Sequence, residues 1–139
     1  MKGLAAYRQN RVYSAPNEQL VVMLFETAIH RLQRAREAMA SGHRGARVEW
    51  LEDLATVRSI YMELLAALDA EVSPELTRNL AATYTWVVRR LSDIGKAGDP
   101  DGVDPVIRVT DTLLGAFSVA VNAAGQEAEE SEESAAEAG

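Results

Sequence analysis

From about residue 16 to residue 124 the apolar positions recur every three to four residues, the period of amphipathic helices. No segment alternates like a strand for long, and Val, Ile and aromatic residues never cluster between turn residues. The pattern predicts four helices. The first runs from about Pro16 to Ser41. Pro16 suits a first helical position, Glu18 stands in the favourable first turn, and Gly42 ends it. The second runs from about Ala46 to Ala70. The third opens with Ser73 as N-cap and Pro74 just inside, and stops at Gly98. The stretch Gly98 to Gly102 reads as a turn. The fourth takes Asp104 as N-cap and Pro105 as its first residue, and ends near Ala124. No internal repeat is present.

Placed on a wheel, each helix shows one apolar stripe. The first stripe is Val21, Leu24, Phe25, Ala28, Leu32, Ala35 and Met39. The second is Trp50, Leu51, Leu54, Val57, Tyr61, Leu64, Leu65 and Leu68. The third is Leu76, Leu80, Tyr84, Val87, Leu91 and Ile94, and the fourth is Val106, Val109, Leu113, Phe117, Ala120 and Val121. The three connections are short, so consecutive helices are expected to pack antiparallel. The predicted fold is all-α, an antiparallel up-down four-helix bundle over residues 16–125. Residues 1–15 form a short N-terminal segment that packs on or caps it.

Some apolar residues fall outside these stripes. Met23 lies among Glu26, His30 and Glu37, and Trp86 among Asn79, Arg90 and Asp93. Ile60 and Val119 also lie off the core faces. Trp and Arg are the types enriched where proteins bind one another. Such residues either tuck back into the core through the helix crossing angle or line exterior apolar grooves. Grooves of that kind accept amphipathic helices from a partner. In the N-terminal segment Leu4, Tyr7, Val12 and Tyr13 alternate with Arg8, Asn10 and Arg11, and those aromatic rings need an apolar seat. The segment is read either as packing over one end of the bundle or as a flap over a groove.

Charge changes the picture at one end only. The 139 residues carry a net −7, from 14 basic and 21 acidic residues. Residues 126–139 hold six Glu and no base, which leaves 15 acidic against 14 basic residues in the rest. With no branched apolar or aromatic residue, this tail is expected to be disordered and solubilising. The nearly neutral remainder argues against binding nucleic acid. The charge-free stretch Leu113 to Gly125 in the second half is short of the roughly 20 apolar residues a bilayer needs. No apolar leader follows Lys2, so the expectation is a cytoplasmic protein without membrane insertion. There are no cysteines, which excludes thiol chemistry and disulfides.

Catalytic patterns are absent. The only histidines are His30 and His43. A metal bundle needs inward carboxylates and Glu-x-x-His pairs, and the predicted inward faces carry no carboxylate. No phosphate loop, nucleophile elbow or zinc motif occurs. Arg89 and Arg90 are expected to pair with Asp93 one turn on. No enzyme, metal or cofactor is predicted. An adaptor that binds amphipathic helices of a protein partner fits these features.

One group of residues narrows this. Ala6-Tyr7-Arg8-Gln9-Asn10, then Pro16 and Leu20, then Met23-Leu24-Phe25-Glu26-Thr27-Ala28-Ile29 resemble the opening of the flagellin export chaperones, the FliS family. Leu65 and Leu68-Asp69 fit as well. So do Asn79-Leu80, Tyr84, Trp86 and Arg89-Arg90-Leu91, which resemble the family's third-helix signature. The match covers roughly residues 5 to 121. It departs at Ala15, at Phe25 where Tyr is frequent, and at Phe117, where members often carry Trp near the end of the fourth helix. The resemblance implies a cytosolic chaperone that binds the disordered C-terminal region of flagellin on the outside of the bundle. It would prevent premature polymerisation and assist delivery to the type III export gate. With that resemblance, Met23, Trp86 and Arg90 from the matching motifs, and Ile60 from its wheel position alone, are expected to form the flagellin-binding groove, and Tyr7, Asn10 and Tyr13 to hold the N-terminal cap. A monomer or weak homodimer is expected.

Overall fold

Prolines, glycines and aspartates set where the helices begin and end. The structure is a computed structural model that describes residues 15–138. Four α-helices account for most of them: α1 (Ala15–Ser41), α2 (Ala46–Ala66), α3 (Pro74–Ala97) and α4 (Asp104–Ala138), with a 3-10 turn at Pro100–Val103 before α4. No strand occurs among the described residues. The chain is an all-helical bundle.

Three boundaries differ from the sequence expectation. The second helix stops at Ala66, four residues early, because Asp69 organises a turn of its own. Its carboxylate accepts from Glu71 N–H (3.0 Å), and its carbonyl accepts the Thr77 hydroxyl (3.1 Å). Asp104 is not an N-cap. The chain enters α4 through the 3-10 turn, where Asp99 accepts from Asp101 N–H (3.0 Å), and Asp104 is free to meet Arg36 at 2.6 Å. The largest difference is in the acidic stretch, where a disordered tail was expected and α4 instead continues as helix through Ala138. Ala and Glu are strong helix formers, so local propensity extends a helix already nucleated by packing. Gly98 ends α3 as expected. Its φ of 65° and its N–H bond to the Ile94 carbonyl (2.8 Å) need a left-handed residue there.

Helix α1 is the central element: α2 and α4 both pack along it, α3 packs on α2, and α3 and α4 share no extensive backbone contact. Arg36 meets Asp104 near one end, and Phe25 meets Phe117 further along, so α1 and α4 run in opposite directions. The core joins one aromatic ring from each helix. Phe25 lies 6.2, 6.5 and 5.5 Å from Tyr61, Tyr84 and Phe117, and Tyr61 lies 5.6 Å edge-on from Tyr84.

The predicted stripes are largely buried. Two residues depart: Leu51 and Leu76 are each 39% exposed. The stripe of α2 is turned towards Asp53 and Ile60 and away from Leu51, because Asp53 faces α1. Arg31 holds its carboxylate at 2.9 Å and Arg34 approaches at 3.7 Å. The inward faces therefore do carry carboxylates, since Asp53 and Glu18 are both buried. Asp53 lies three residues after Trp50 and four before Val57, so its place on the core row was readable from spacing.

Candidate functional site

The outlying residues separate into two kinds. Ile60 is 6% exposed and belongs to the core, three residues after Val57 and four before Leu64. This corrects its assignment to an exterior groove: the apolar stripe of α2 is wide enough to include it. Met23, Trp86 and Val119 are at the surface, at 61%, 40% and 70% exposure. They are joined there by Leu20, Val48 and Met62, which the helical wheels left unremarked.

The surface residues do not form one groove. Met23 is on α1, whereas Trp86 and Arg90 are on α3, and these helices meet through core rings such as Phe25 and Tyr84 rather than along their backbones. Trp86 and Arg90, one turn apart, form a unit. The Arg90 guanidinium lies over the Trp86 ring, 5.9 Å from its centre, a cation–π contact at the surface. The expected pairing of Asp93 with Arg89 and Arg90 does not form; among the described residues the ion pairs lie elsewhere.

Near Met23 there is a shallow cleft. Gln19 and Val22 of α1 face Ser118, Val121 and Asn122 of α4 across about 140 Å³. Leu20 and Met23, next in sequence to Gln19 and Val22, are exposed on α1. A second cleft of about 280 Å³ lies where α1 gives way to α2, lined by Arg34, Glu37, Ala38, Ser41, His43, Glu49 and Asp53. Its mixed charge suits water more than an apolar helix. His43 there directs Nδ1 at the Arg44 carbonyl (3.0 Å) and Nε2 at Glu49 (3.3 Å). Among the described residues, no three His, Asp or Glu side chains converge on a point that would hold a metal. Tyr7, Asn10 and Tyr13 lie outside the described residues.

Helix α4 is more apolar than its burial requires. The segment Pro100–Ala123 contains an 18-residue window with a mean hydropathy of 1.3 and is long and apolar enough to cross a membrane by length and composition, although Asp101, Asp104, Arg108 and Asp111 fall within the segment. Only 17% of that window is buried in the bundle. Val103, Val106 and Thr110 face inward, while Ile107, Leu113, Leu114 and Phe117 are only partly covered. Much of the apolar surface of this segment therefore lies on the outside.

Known proteins share this sequence along most of its length. Residues 1–124 match the family described as flagellar protein FliS. The flagellar secretion chaperone FliS of Escherichia coli K12 is 35% identical over 109 residues, covering 76% of this chain and 79% of that protein. Its counterpart in Salmonella typhimurium LT2 is 33% identical over 108 residues, covering 75% and 78%. That of Campylobacter jejuni is 30% identical over 112 residues, covering 81% and 85%. The acidic end of α4 lies beyond the residues matched by the family.

Proposed function

The chain belongs to the FliS family of flagellar proteins, and from that premise we propose that it is a flagellar secretion chaperone for flagellin. It acts by binding and not by catalysis. In this reading it works in the cytoplasm, as a monomer or weak homodimer, on an antiparallel up-down four-helix frame. It takes up the disordered C-terminal segment of flagellin, keeps it from polymerising early and hands it to a component of the export gate.

The observation that carries this reading is family membership over the whole helical bundle, in a molecule that leaves large apolar side chains on its outer faces. Amphipathic segments of flagellin that would otherwise pair with each other fold against these faces instead. Ordering them costs on the order of 2–5 kcal/mol, offset by burial of apolar area. Binding of that kind is reversible enough for handover. Met23 and the Trp86–Arg90 pair are the proposed anchors. Because they stand on different helices, the client engages them as separate pieces. Ile60 is left out because it is buried. Tyr7, Asn10 and Tyr13 are proposed to hold the N-terminal segment over a groove that the client takes over.

Calorimetric titration of a peptide from the C-terminal region of flagellin is the direct test. One-to-one binding with a negative heat-capacity change supports the reading. Absence of binding, with the bundle folded, overturns it.

A further inference from the structure

Helix α3 carries on its solvent side a strip that the bundle does not use. Arg78, Ala82, Trp86, Arg89, Asp93 and Lys96 follow at steps of three or four residues, and all are exposed. Arg90 flanks the strip over the Trp86 ring. The outer face of α3 thus presents four bases against two acids, Glu75 and Asp93, around a half-exposed indole. No ion pair reaches any of the four bases among the described residues.

The complementary charge is on the same chain. The end of α4 carries six Glu and no base over residues 126–138, and Glu129, Glu130, Glu132 and Glu133 are exposed. It cannot reach the α3 strip of its own copy. Helix α4 runs opposite to α1, and Gln19 lies level with Asn122, so residues 126–138 extend past the first turn of α1. At 1.5 Å per residue that end projects up to about 20 Å along the helix axis, leading away from Trp86. A continuous helix does not fold back.

We propose that the acidic end of α4 docks on the basic, Trp86-centred strip of α3 in a second copy of this chain. The two surfaces match in form, helix against helix, and in sign. The contact is heterologous, so it closes only when two copies exchange ends or a ring forms. It is weak and salt-sensitive, because every charge in it is at the surface.

Sedimentation of the full-length chain tests this. In about 20 mM salt the chain associates with itself, and the dissociation constant rises at least tenfold in about 500 mM salt. The variant Glu129→Lys with Glu133→Lys does not self-associate, and neither does Arg78→Glu with Arg89→Glu. Mixing the two variants restores association, because the basic end of one now meets the acidic strip of the other. Dilution of the unaltered chain shifts the Trp86 indole N–H signal. A chain that is monomeric at low salt overturns the proposal. So does self-association untouched by both reversals, which would place the contact on the apolar faces, or a mixture that fails to associate.

Discussion

Tyr61 shows how much one buried hydroxyl constrains its neighbours. Its oxygen is 2.6 Å from Thr110 Oγ1, and Thr110 sends its only proton to the Val106 carbonyl at 2.8 Å. Tyr61 is therefore the donor and Thr110 the acceptor. Burial raises the Tyr61 phenol to about 12, with the Thr110 bond pulling weakly the other way. Below pH 10 both the folded and unfolded chains keep this proton, and its contribution is fully present. From pH 10 to about 12 only the unfolded chain loses it, so stability falls by roughly 3 kcal/mol. Tyr61→Phe is expected to cost about 1 kcal/mol at neutral pH and to flatten this alkaline decline, as read from denaturant midpoints between pH 9 and 12. An equally steep decline in the variant would assign it to other groups. Trp86→Ala tests the surface instead: it should weaken binding of the flagellin peptide by more than about 1 kcal/mol while leaving the thermal midpoint nearly unchanged. Unchanged affinity removes Trp86 from the client surface. Trp86 stood out in sequence because nothing in the core needs it. Ile60 stood out for the same reason and proved to be core, since a wheel fixes direction but not how wide a neighbour's cover extends.

The helices themselves were readable because their punctuation is chemical. Pro74, Gly42 and Gly98 act through backbone geometry that no packing overrides, and the boundaries beside them agree with the structure. The boundaries that moved depend on side-chain competition. Asp69 could have continued a helix or made a turn, and Asp104 could have capped a helix or met Arg36. Local sequence does not decide between such partners. The same limit hid the link between α1 and α2. Arg31→Ala should cost about 2–3 kcal/mol in chemical denaturation, because Asp53 would keep only Arg34 at 3.7 Å. Adding Asp53→Leu should recover part of the loss, since no buried charge then remains; strictly additive costs would count against a coupled pair. The N-terminal segment makes a different prediction. If it competes with the client, removing residues 1–13 leaves flagellin affinity equal or higher in calorimetry, whereas a large loss means it supplies contacts.

The molecule as a whole divides into a nearly neutral bundle and an acidic helical extension, a division plain from composition, although the helical state of the extension was not. The central position of α1 has a consequence in time. Its pairing with α2 closes across the short connection 42–45, whereas its pairing with α4 joins Arg36 to Asp104 across 68 residues. Closing the longer loop costs more entropy before any contact repays it. The α1–α2 hairpin should therefore assemble first and α4 last. Val57→Ala is then expected to slow refolding, while Val106→Ala chiefly speeds unfolding, in stopped-flow chevrons. The opposite partition would mean that α4 belongs to the nucleus. On a ribosome the order is the same: the hairpin is complete while the apolar first part of α4 is still unmade, so α4 emerges to find its place on α1 already built.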